Sequence, residues 1–194
     1  MQLKLKRLST ITCRQDKPKS MLFVDDGVYL NRIHIDAGQK IFQAIDGQRD
    51  ELGEFLPWIG QIHSPEDVIK SISAAGSSHP PVWLFELLDT RCFAGIISMK
   101  ITNRQIQSAE FGYWLLKEFR AKGLMKKSLQ TLARFAFTQC NVTELTIRTS
   151  PENAPSQKVA QAAGFTRFTD ADIDIKSSGD YIYRLVKADW ELIK

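Results

Sequence analysis

A strand-like segment that runs through a short basic loop into a long amphipathic helix restricts the fold of this chain more than any other feature. Residues 108–116 have the composition of a strand, and the loop after them is rich in basic residues and ends at Gly123. Apolar residues then recur at helical spacing, which predicts a helix over 123–139. The first amides of a helix have no partner inside it, and the helix dipole adds positive potential. This junction therefore predicts an anion site that fits a pyrophosphate, with Arg120 and Lys122 adding charge-assisted contacts.

The segments on either side of this junction predict a sheet flanked by helices. Residues 82–88 and 92–101 are strand-like, and together with 108–116 they have the spacing of an antiparallel meander. After the long helix, residues 144–149 alternate as a further strand. Residues 153–163 then form a short helix, which a glycine ends in the left-handed conformation. The pattern predicts an α/β chain built on a central sheet.

The amino-terminal third predicts one strand followed by helices. Residues 28–35 alternate as a strand, and a helix follows over 36–45 with Asp36 as its N-cap. Pro57 ends or bends any helix near it. Ser64 begins another helix, because a proline and two acidic residues follow it in the first turn.

The charge of the chain is concentrated at its amino terminus. The 194 residues carry a net charge of +4, and residues 1–20 alone hold six basic side chains against one acidic side chain. Such an arm can contact RNA, a ribosome or an anionic surface electrostatically. An extra edge strand or a solvated tail is the simpler interpretation, so a nucleic-acid partner is not expected. We divide the chain into a basic extension, 1–20, and a single domain, 21–194.

Composition indicates neither a membrane protein nor a metalloprotein. Every apolar run is interrupted well short of the ~18 residues that a spanning helix requires. The three cysteines are widely spaced without a Cys-x-x-Cys pair, and the three histidines stand alone. We therefore expect no metal site and no disulfide framework, and a cytoplasmic location is the simplest expectation.

Two motifs in sequence order carry a resemblance to a known family. The loop reads Arg120-x-x-Gly123-x-Met125, and the later helix begins Asn153-x-x-Ser156. The first is similar to the pyrophosphate loop, and the second to the second conserved helix, of the GNAT superfamily of acyl-CoA-dependent N-acetyltransferases. Each motif lies on the expected element, and the pair is far harder to obtain by chance than either one alone.

Two shorter segments resemble one branch of that superfamily. Residues 110–114, E-F-G-Y-W, and residues 55–58, F-L-P-W, are similar to the branch that acetylates the amino termini of ribosomal proteins. The resemblance covers roughly residues 21–190. The loop departs from the common family form, since Ala121 stands where glycine is frequent and Met125 where a small residue is usual. Methionine is familiar there within the ribosomal branch.

The resemblance implies the GNAT fold, a twisted and mostly antiparallel sheet with flanking helices, in which two neighbouring parallel strands splay apart. The strands expected to splay are those at 109–116 and 144–149, and the pantetheine arm of CoA would lie between them and pair with their free backbone groups. The resemblance places the cofactor contacts at Trp114, Leu115, Leu116, Arg120, Ala121, Lys122, Gly123, Leu124, Met125, Asn153 and Ser156. It implies acetyl-CoA as co-substrate and no metal.

The chemistry of amine acetylation calls for a base and for a donor to the departing thiolate. Glu110 is our candidate base, acting directly or through one water, and an ordinary cross-strand ion pair is an equally weighted alternative. By resemblance, Ser156 and Asn153 are placed to assist the thiolate. Ser156 alternatively only satisfies backbone donors in a first helical turn, and Asn153 only caps the helix. Many GNAT enzymes use a tyrosine further along this helix, which this chain lacks, so the identity of the acid stays open.

The sequence supports three hypotheses about function. The first is transfer of acetyl from acetyl-CoA to a primary amine in a ternary complex, the acceptor being a protein α-amine or a small molecule. The others are a CoA-binding regulator without catalysis and a ribosome- or RNA-binding module. For Phe55, Leu56 and Trp58, packing in the core is favoured over lining an acceptor pocket. The sequence leaves the oligomeric state open, with a homodimer among the alternatives.

Overall fold

The strands of the predicted meander lie at the centre of one eight-stranded mixed sheet. The computed structural model describes residues 21–80, 82–103, 107–168 and 179–192, so the basic extension 1–20 lies outside the described residues. The strands are β1 (Met21–Asp25), β2 (Val28–Arg32), β3 (Val82–Asp89), β4 (Cys92–Asn103), β5 (Ser108–Leu115), β6 (Glu144–Thr149), β7 (Thr166–Phe168) and β8 (Tyr181–Val186). The helices are α1 (Gly38–Asp46), α2 (Arg49–Gly53), α3 (Pro65–Ser77), α4 (Leu124–Gln139), α5 (Ala154–Ala162) and α6 (Lys187–Leu192).

The order of the strands confirms the predicted sheet. Neighbours run β1-β2-β3-β4-β5-β6-β8-β7. The pair β5–β6 is parallel, and the other six neighbouring pairs are antiparallel. Within the described ranges, no helix combines the length and the apolar character needed to cross a membrane.

Helices cover both faces of the sheet. On one face, α4 and α5 pack over a large core that includes Phe85 and Phe111. On the other face, α1, α2 and α3 enclose a smaller core that includes Trp114. Because successive side chains of a strand point to opposite faces, β5 contributes to both cores.

A bulge in β4 brings its backbone close to β5. The register between β3 and β4 shifts at Leu87 and Leu88, which pair with Gly95 and Phe93. A Cβ atom added to Gly95 would lie 2.2 Å from the carbonyl oxygen of Trp114, a distance that atoms cannot adopt. Glycine is therefore required at this point of the sheet.

The predicted helix signals are confirmed at Ser64 and at the end of α5. The Ser64 hydroxyl oxygen accepts from the backbone N–H of Asp67 at 3.4 Å, and α3 begins at the next residue. Gly164 has a positive φ of 100° after α5, and Phe165 packs back on the core at 2% exposure. Both ends follow from local chemistry, which the sequence displays directly.

The predicted N-cap at Asp36 is wrong. Strand β2 ends at Arg32, a short 3-10 turn occupies Ile35–Ala37, and α1 begins only at Gly38 with Ala37 at the N-cap. The Asp36 carboxylate lies 2.8 Å from Nδ1 of His34. The side chain therefore bonds to a neighbouring imidazole instead of the first amides of α1.

Candidate active site

Strands β5 and β6 pair over only part of their length. The parallel ladder runs from Ser108 opposite Glu144 to Phe111 opposite Ile147. β5 continues for four residues beyond this point and β6 for two. The strands therefore diverge as the resemblance predicted, and their facing backbone edges border a gap at the carboxyl end of the pair.

The direction of the backbone bonds shows which groups of β5 face this gap. The N–H of Leu116 donates to the carbonyl of Ala94 at 2.9 Å, so it points toward β4 and away from β6. Because backbone groups alternate along a strand, those of Tyr113 and Leu115 point toward the gap. The carbonyl of Leu115 accepts from Nε of Arg120 at 3.0 Å. Tyr113 and Leu115 thus supply the edge that an extended, amide-rich chain would pair with.

The loop before α4 has the geometry of an anion site. Ala121 and Gly123 both have positive φ, 59° and 75°, so the chain makes a tight turn into the helix. The N–H of Lys127 donates to the carbonyl of Gly123 at 3.2 Å, and the amides of residues 124–126 precede this first helical bond. Space above Gly123 is open, since an added Cβ would meet nothing within 4 Å. The backbone can therefore approach a phosphate closely.

The basic side chains of this loop have different partners. The guanidinium of Arg120 bonds to the carboxylate of Glu51 on α2 as well as to β5. Lys122 is exposed, and its Nζ lies 5.3 Å from the centre of the Phe119 ring. Arg120 was predicted to contact phosphate, but the structure places its guanidinium between α2 and β5. Lys122 is the predicted phosphate contact that lies at the surface of the loop.

Four of the predicted cofactor residues have buried side chains, namely Trp114, Leu116, Leu124 and Met125. Leu124 and Met125 are 8% and 3% exposed and belong to the core under α4. Trp114 is 7% exposed, and its ring packs edge-on against Phe93 at 5.8 Å between centroids. At residues 124 and 125, contact with a ligand would therefore be made through backbone amides.

Ser156 lies beside a tyrosine that the sequence analysis did not single out. The hydroxyl of Tyr113 donates to the carbonyl of Ser156 at 3.1 Å and lies 3.0 Å from the Ser156 hydroxyl. Burial raises the pKa of Tyr113 to about 12, and the hydrogen bond to Ser156 opposes this rise. The contact between Tyr113 and Ser156 could have been anticipated from the sequence in part. Strand alternation puts Tyr113 on the same face as Phe111, which is the face that α5 covers.

Asn153 caps α5. Its side-chain Oδ1 accepts from the backbone N–H of Ser156 at 3.0 Å. The interpretation of Asn153 as a helix cap is therefore confirmed. The Ser156 hydroxyl, by contrast, contacts the side chain of Tyr113 on β5. Its role is therefore not limited to satisfying backbone donors in the first turn of α5.

Glu110 lies on the opposite face of β5 from Tyr113. Its Oε2 is 3.7 Å from Nε of Arg148 on β6, and both side chains are partly exposed. This contact matches the ion-pair alternative. By strand alternation, Glu110 shares its face with Gly112 and Trp114, the face that α1 and α3 cover. A base at Glu110 and a donor at Ser156 would therefore approach the gap from opposite sides.

A cavity of about 370 Å³ lies on the Glu110 face, between the sheet and helices α1 and α3. Its floor includes Ser98, Gly112 and Trp114, and Leu56 and Trp58 contribute to its wall. Trp58 is 41% exposed. Core packing was favoured for these residues, but the structure places Trp58 at the border of the cavity, so for this side chain that expectation is wrong. Across the described residues, no three His, Cys, Asp or Glu side chains group so as to hold a metal ion.

A match to a family of known proteins decides the assignment. Residues 28–166 match the family described as the acetyltransferase (GNAT) domain. The chain belongs to the GNAT acetyltransferase family. This confirms the family, the N-acetyltransferase class and the fold that the two motifs indicated. GNAT enzymes use acetyl-CoA as acyl donor.

Individual relatives agree with this assignment. The ribosomal-protein-serine acetyltransferase of Escherichia coli (strain K12) is 23% identical over 144 residues, which cover 73% of this chain and 80% of the relative. The Bacillus subtilis (strain 168) protein YdaF is 28% identical over 109 residues, covering 54% of this chain and 60% of YdaF. The match to YdaF therefore spans about three fifths of that protein.

Solved structures show the same fold. RimL, a ribosomal L7/L12 alpha-N-protein acetyltransferase in complex with coenzyme A, has a TM-score of 0.77 at 20% identity, covering 86% of this chain and 97% of that chain. The microcin C7 self immunity acetyltransferase MccE, in complex with acetyl-CoA and AMP, has a TM-score of 0.76 at 20% identity, covering 87% and 97%. At 20% sequence identity, these structural similarities establish that the folds are shared.

Proposed function

We propose that this protein transfers the acetyl group of acetyl-CoA to a primary amine by direct attack in a ternary complex. The observation that carries the proposal is the divergence of β5 and β6 after Phe111 and Ile147, beside the open amides that begin α4. The gap offers unpaired strand edges to the amide groups of pantetheine, and the helix terminus offers N–H donors to a pyrophosphate. One ligand of suitable length would use both.

Glu110 is proposed as the base. An amine attacks only in its neutral form, and with pKa values of ~8 for an α-amine and ~10.4 for lysine, the neutral fraction at pH 7 is about a tenth or well below a thousandth. A carboxylate on the acceptor side of β5 would take the proton directly or through one water. The ion pair with Arg148 is long, at 3.7 Å, and partly exposed, so it leaves the carboxylate accessible.

Ser156 is proposed to donate a hydrogen bond to the departing thiolate. A CoA thiol has a pKa near the ~8.5 of free cysteine, so the thiolate needs little stabilisation beyond a well-placed donor. With its pKa near 12, Tyr113 stays protonated at neutral pH and holds the Ser156 backbone and hydroxyl in place. Tyr113 is thus a positioning residue for the donor.

The acceptor is proposed to be the α-amine of a protein amino terminus or a small-molecule amine. The names of the relatives point to ribosomal proteins, since two of them are described as acetyltransferases of ribosomal-protein serine and of L7/L12. An α-amine is the more reactive choice at neutral pH because a larger share of it is unprotonated.

Release of free thiol from acetyl-CoA, followed with a chromogenic thiol reagent and a panel of amines, tests the proposal. A blank without amine corrects for the exposed thiol of Cys92. Glu110→Gln should lower kcat at pH 7 by about 10²- to 10⁴-fold while CoA affinity is unchanged, and the defect should shrink as pH rises and the amine deprotonates unaided. Glu191→Gln, which changes an exposed carboxylate on α6, serves as control.

Two outcomes would contradict the proposal. Absence of CoA binding at millimolar concentration would remove both the activity and the role of the α4 terminus. Tight CoA binding without thiol release for any amine, unaffected by Glu110→Gln, would favour a CoA-binding regulator and leave Glu110 with its ion pair to Arg148.

A further inference from the structure

We propose that the cavity under α1 and α3 receives the side chain of the acceptor and selects acceptors whose amine is attached to an uncharged, apolar group. This inference rests on the proposed acetyl transfer and specifies its substrate class. The preferred acceptor is a peptide that begins with a bulky apolar residue, or an aralkyl or alkyl amine of similar shape.

The cavity is continuous with the strand segment that borders the gap. Gly112 and Trp114 contribute to its lining, and Tyr113 between them also contacts Ser156. Glu110 lies two residues before Gly112 in β5, so both residues are on the same face of the strand. An amine held at Glu110 would therefore direct its substituent along the strand toward the cavity.

The lining of the cavity is uncharged throughout the residues that the structure describes there. It is mostly aliphatic and aromatic, and the polar side chains on this face of the sheet are Ser71 and Ser98, since Tyr113 directs its hydroxyl to Ser156 on the other face. The Ser98 hydroxyl already donates to the carbonyl of Gly112 at 3.2 Å. An ammonium or carboxylate placed in this cavity would lose its hydration without gaining a charged partner. Charged acceptor side chains are accordingly disfavoured.

Gly112 keeps the floor of the cavity open. An added Cβ at this position would lie 2.9 Å from the Ser98 hydroxyl oxygen, on the face that lines the cavity. The residue is exposed although it lies in a central strand. The absence of a side chain here gives the acceptor access to the strand next to Glu110.

The dimensions suit one apolar group. A volume of about 370 Å³ lies near the lower end of the range of ~300–1,000 Å³ found for small-molecule sites. The partly exposed ring of Trp58 lies at the border of the cavity, where it can cover the group that enters. The site thus fits an amino-terminal leucine or phenylalanine side chain better than an extended polyamine.

The test uses the full chain, acetyl-CoA and peptides that differ only in their first residue, which is Leu, Phe, Gly, Lys or Asp. We expect kcat/KM for the Leu and Phe peptides to exceed the values for Lys and Asp by at least about tenfold. Equal or higher values for Lys or Asp would overturn the inference.

A binding measurement separates this inference from the proposed reaction. Trp58 and Trp114 line the cavity, so binding of a Phe-amide peptide to the CoA-loaded protein should change the intrinsic tryptophan emission, and a Lys-amide peptide should not. Selective binding without thiol release would refute the reaction and support the cavity assignment. Binding without selectivity would overturn the assignment, whether or not thiol is released.

A pair of neighbouring alanines on α3 gives a matched control. Ala75 lines the cavity, whereas Ala74 is exposed. Ala75→Phe should lower kcat/KM for the Phe peptide at least about tenfold more than for the Gly peptide, and Ala74→Phe should affect neither. An equal loss for both peptides would overturn the inference. Thermal unfolding verifies folding, and Ser71→Phe, on the same wall, repeats the test if Ala75→Phe does not fold.

Discussion

Replacing Tyr113 by phenylalanine removes one hydroxyl from the interface between β5 and α5 and leaves the ring in place. That hydroxyl contacts Ser156 twice, at its carbonyl (3.1 Å) and at its side chain (3.0 Å). One hydrogen bond contributes a net ~0.5–1.5 kcal/mol to stability. The Tyr113 hydroxyl has a single proton for its two contacts, so we expect their combined contribution to lie between those of one and two hydrogen bonds. We expect the free energy of unfolding to fall by about 1–2 kcal/mol. For a chain of this size the melting temperature should fall by about 2–8 °C.

The same substitution should slow acetyl transfer more than it weakens CoA binding. Without Tyr113, the Ser156 hydroxyl is free to rotate away from the thiol position, so kcat falls while the KM for acetyl-CoA changes little. A double-mutant cycle with Ser156→Ala should give a coupling energy of at least about 0.5 kcal/mol in stability, because the two groups are in contact. Circular dichroism melts and initial-rate kinetics measure the two effects.

Tyr29→Phe is the matched control, since the Tyr29 ring packs on Phe23 at the far end of the sheet. It should change neither stability nor kcat by a comparable amount. Independent effects of Tyr113→Phe and Ser156→Ala, with no coupling in stability or in kcat, would refute the reasoning that Tyr113 positions Ser156.

Further predictions concern the loop, the bulge and pH. Gly95→Ala should lower the free energy of unfolding by about 1–3 kcal/mol, seen in denaturant melts, because the new Cβ meets backbone at 2.2 Å. Ala121→Gly should raise it by up to about 1 kcal/mol in the same melts by relieving a φ of 59°, and unchanged or lower stability would contradict this. By calorimetric titration, Lys122→Ala should weaken CoA binding roughly two- to tenfold, whereas Arg120→Ala should mainly lower stability, by about 1 kcal/mol. The pKa of Tyr113 rises from 10 to about 12 on folding, so its contribution to stability is complete below pH 10 and is lost as the pH rises toward 12. In melts between pH 10 and 12, the free energy of unfolding of Tyr113→Phe should therefore fall less with pH than that of the unsubstituted protein.

Local patterns in the sequence predicted most elements of the fold. Helix α4 follows from the spacing of its apolar residues, α3 from the Ser64 cap, and the end of α5 from Gly164. Each depends on residues within a few positions of each other, so the sequence displays the cause directly. Asp36 shows where this fails, because a neighbouring histidine competes for its carboxylate.

The geometry of the loop before α4 was also predictable, since a glycine turn leaves the first amides of a helix outside its ladder wherever the helix lies. The partners of its side chains were not. Arg120 bonds to Glu51, 69 positions away, and this contact exists only because α2 packs beside the loop. The sequence therefore identified Arg120 as part of the loop and assigned its guanidinium to a phosphate.

The sequence by itself predicted the long helix, the central strands and the glycine turn, because periodicity, capping and backbone conformation act over a few neighbouring residues. Its two motifs carried the resemblance to the family. Tertiary structure alone decided that Tyr113 meets Ser156 across 43 positions, that Trp58 borders a cavity, and where β5 separates from β6. These features depend on how distant elements pack. No local pattern specifies which two side chains will share a surface once the sheet and its helices have assembled.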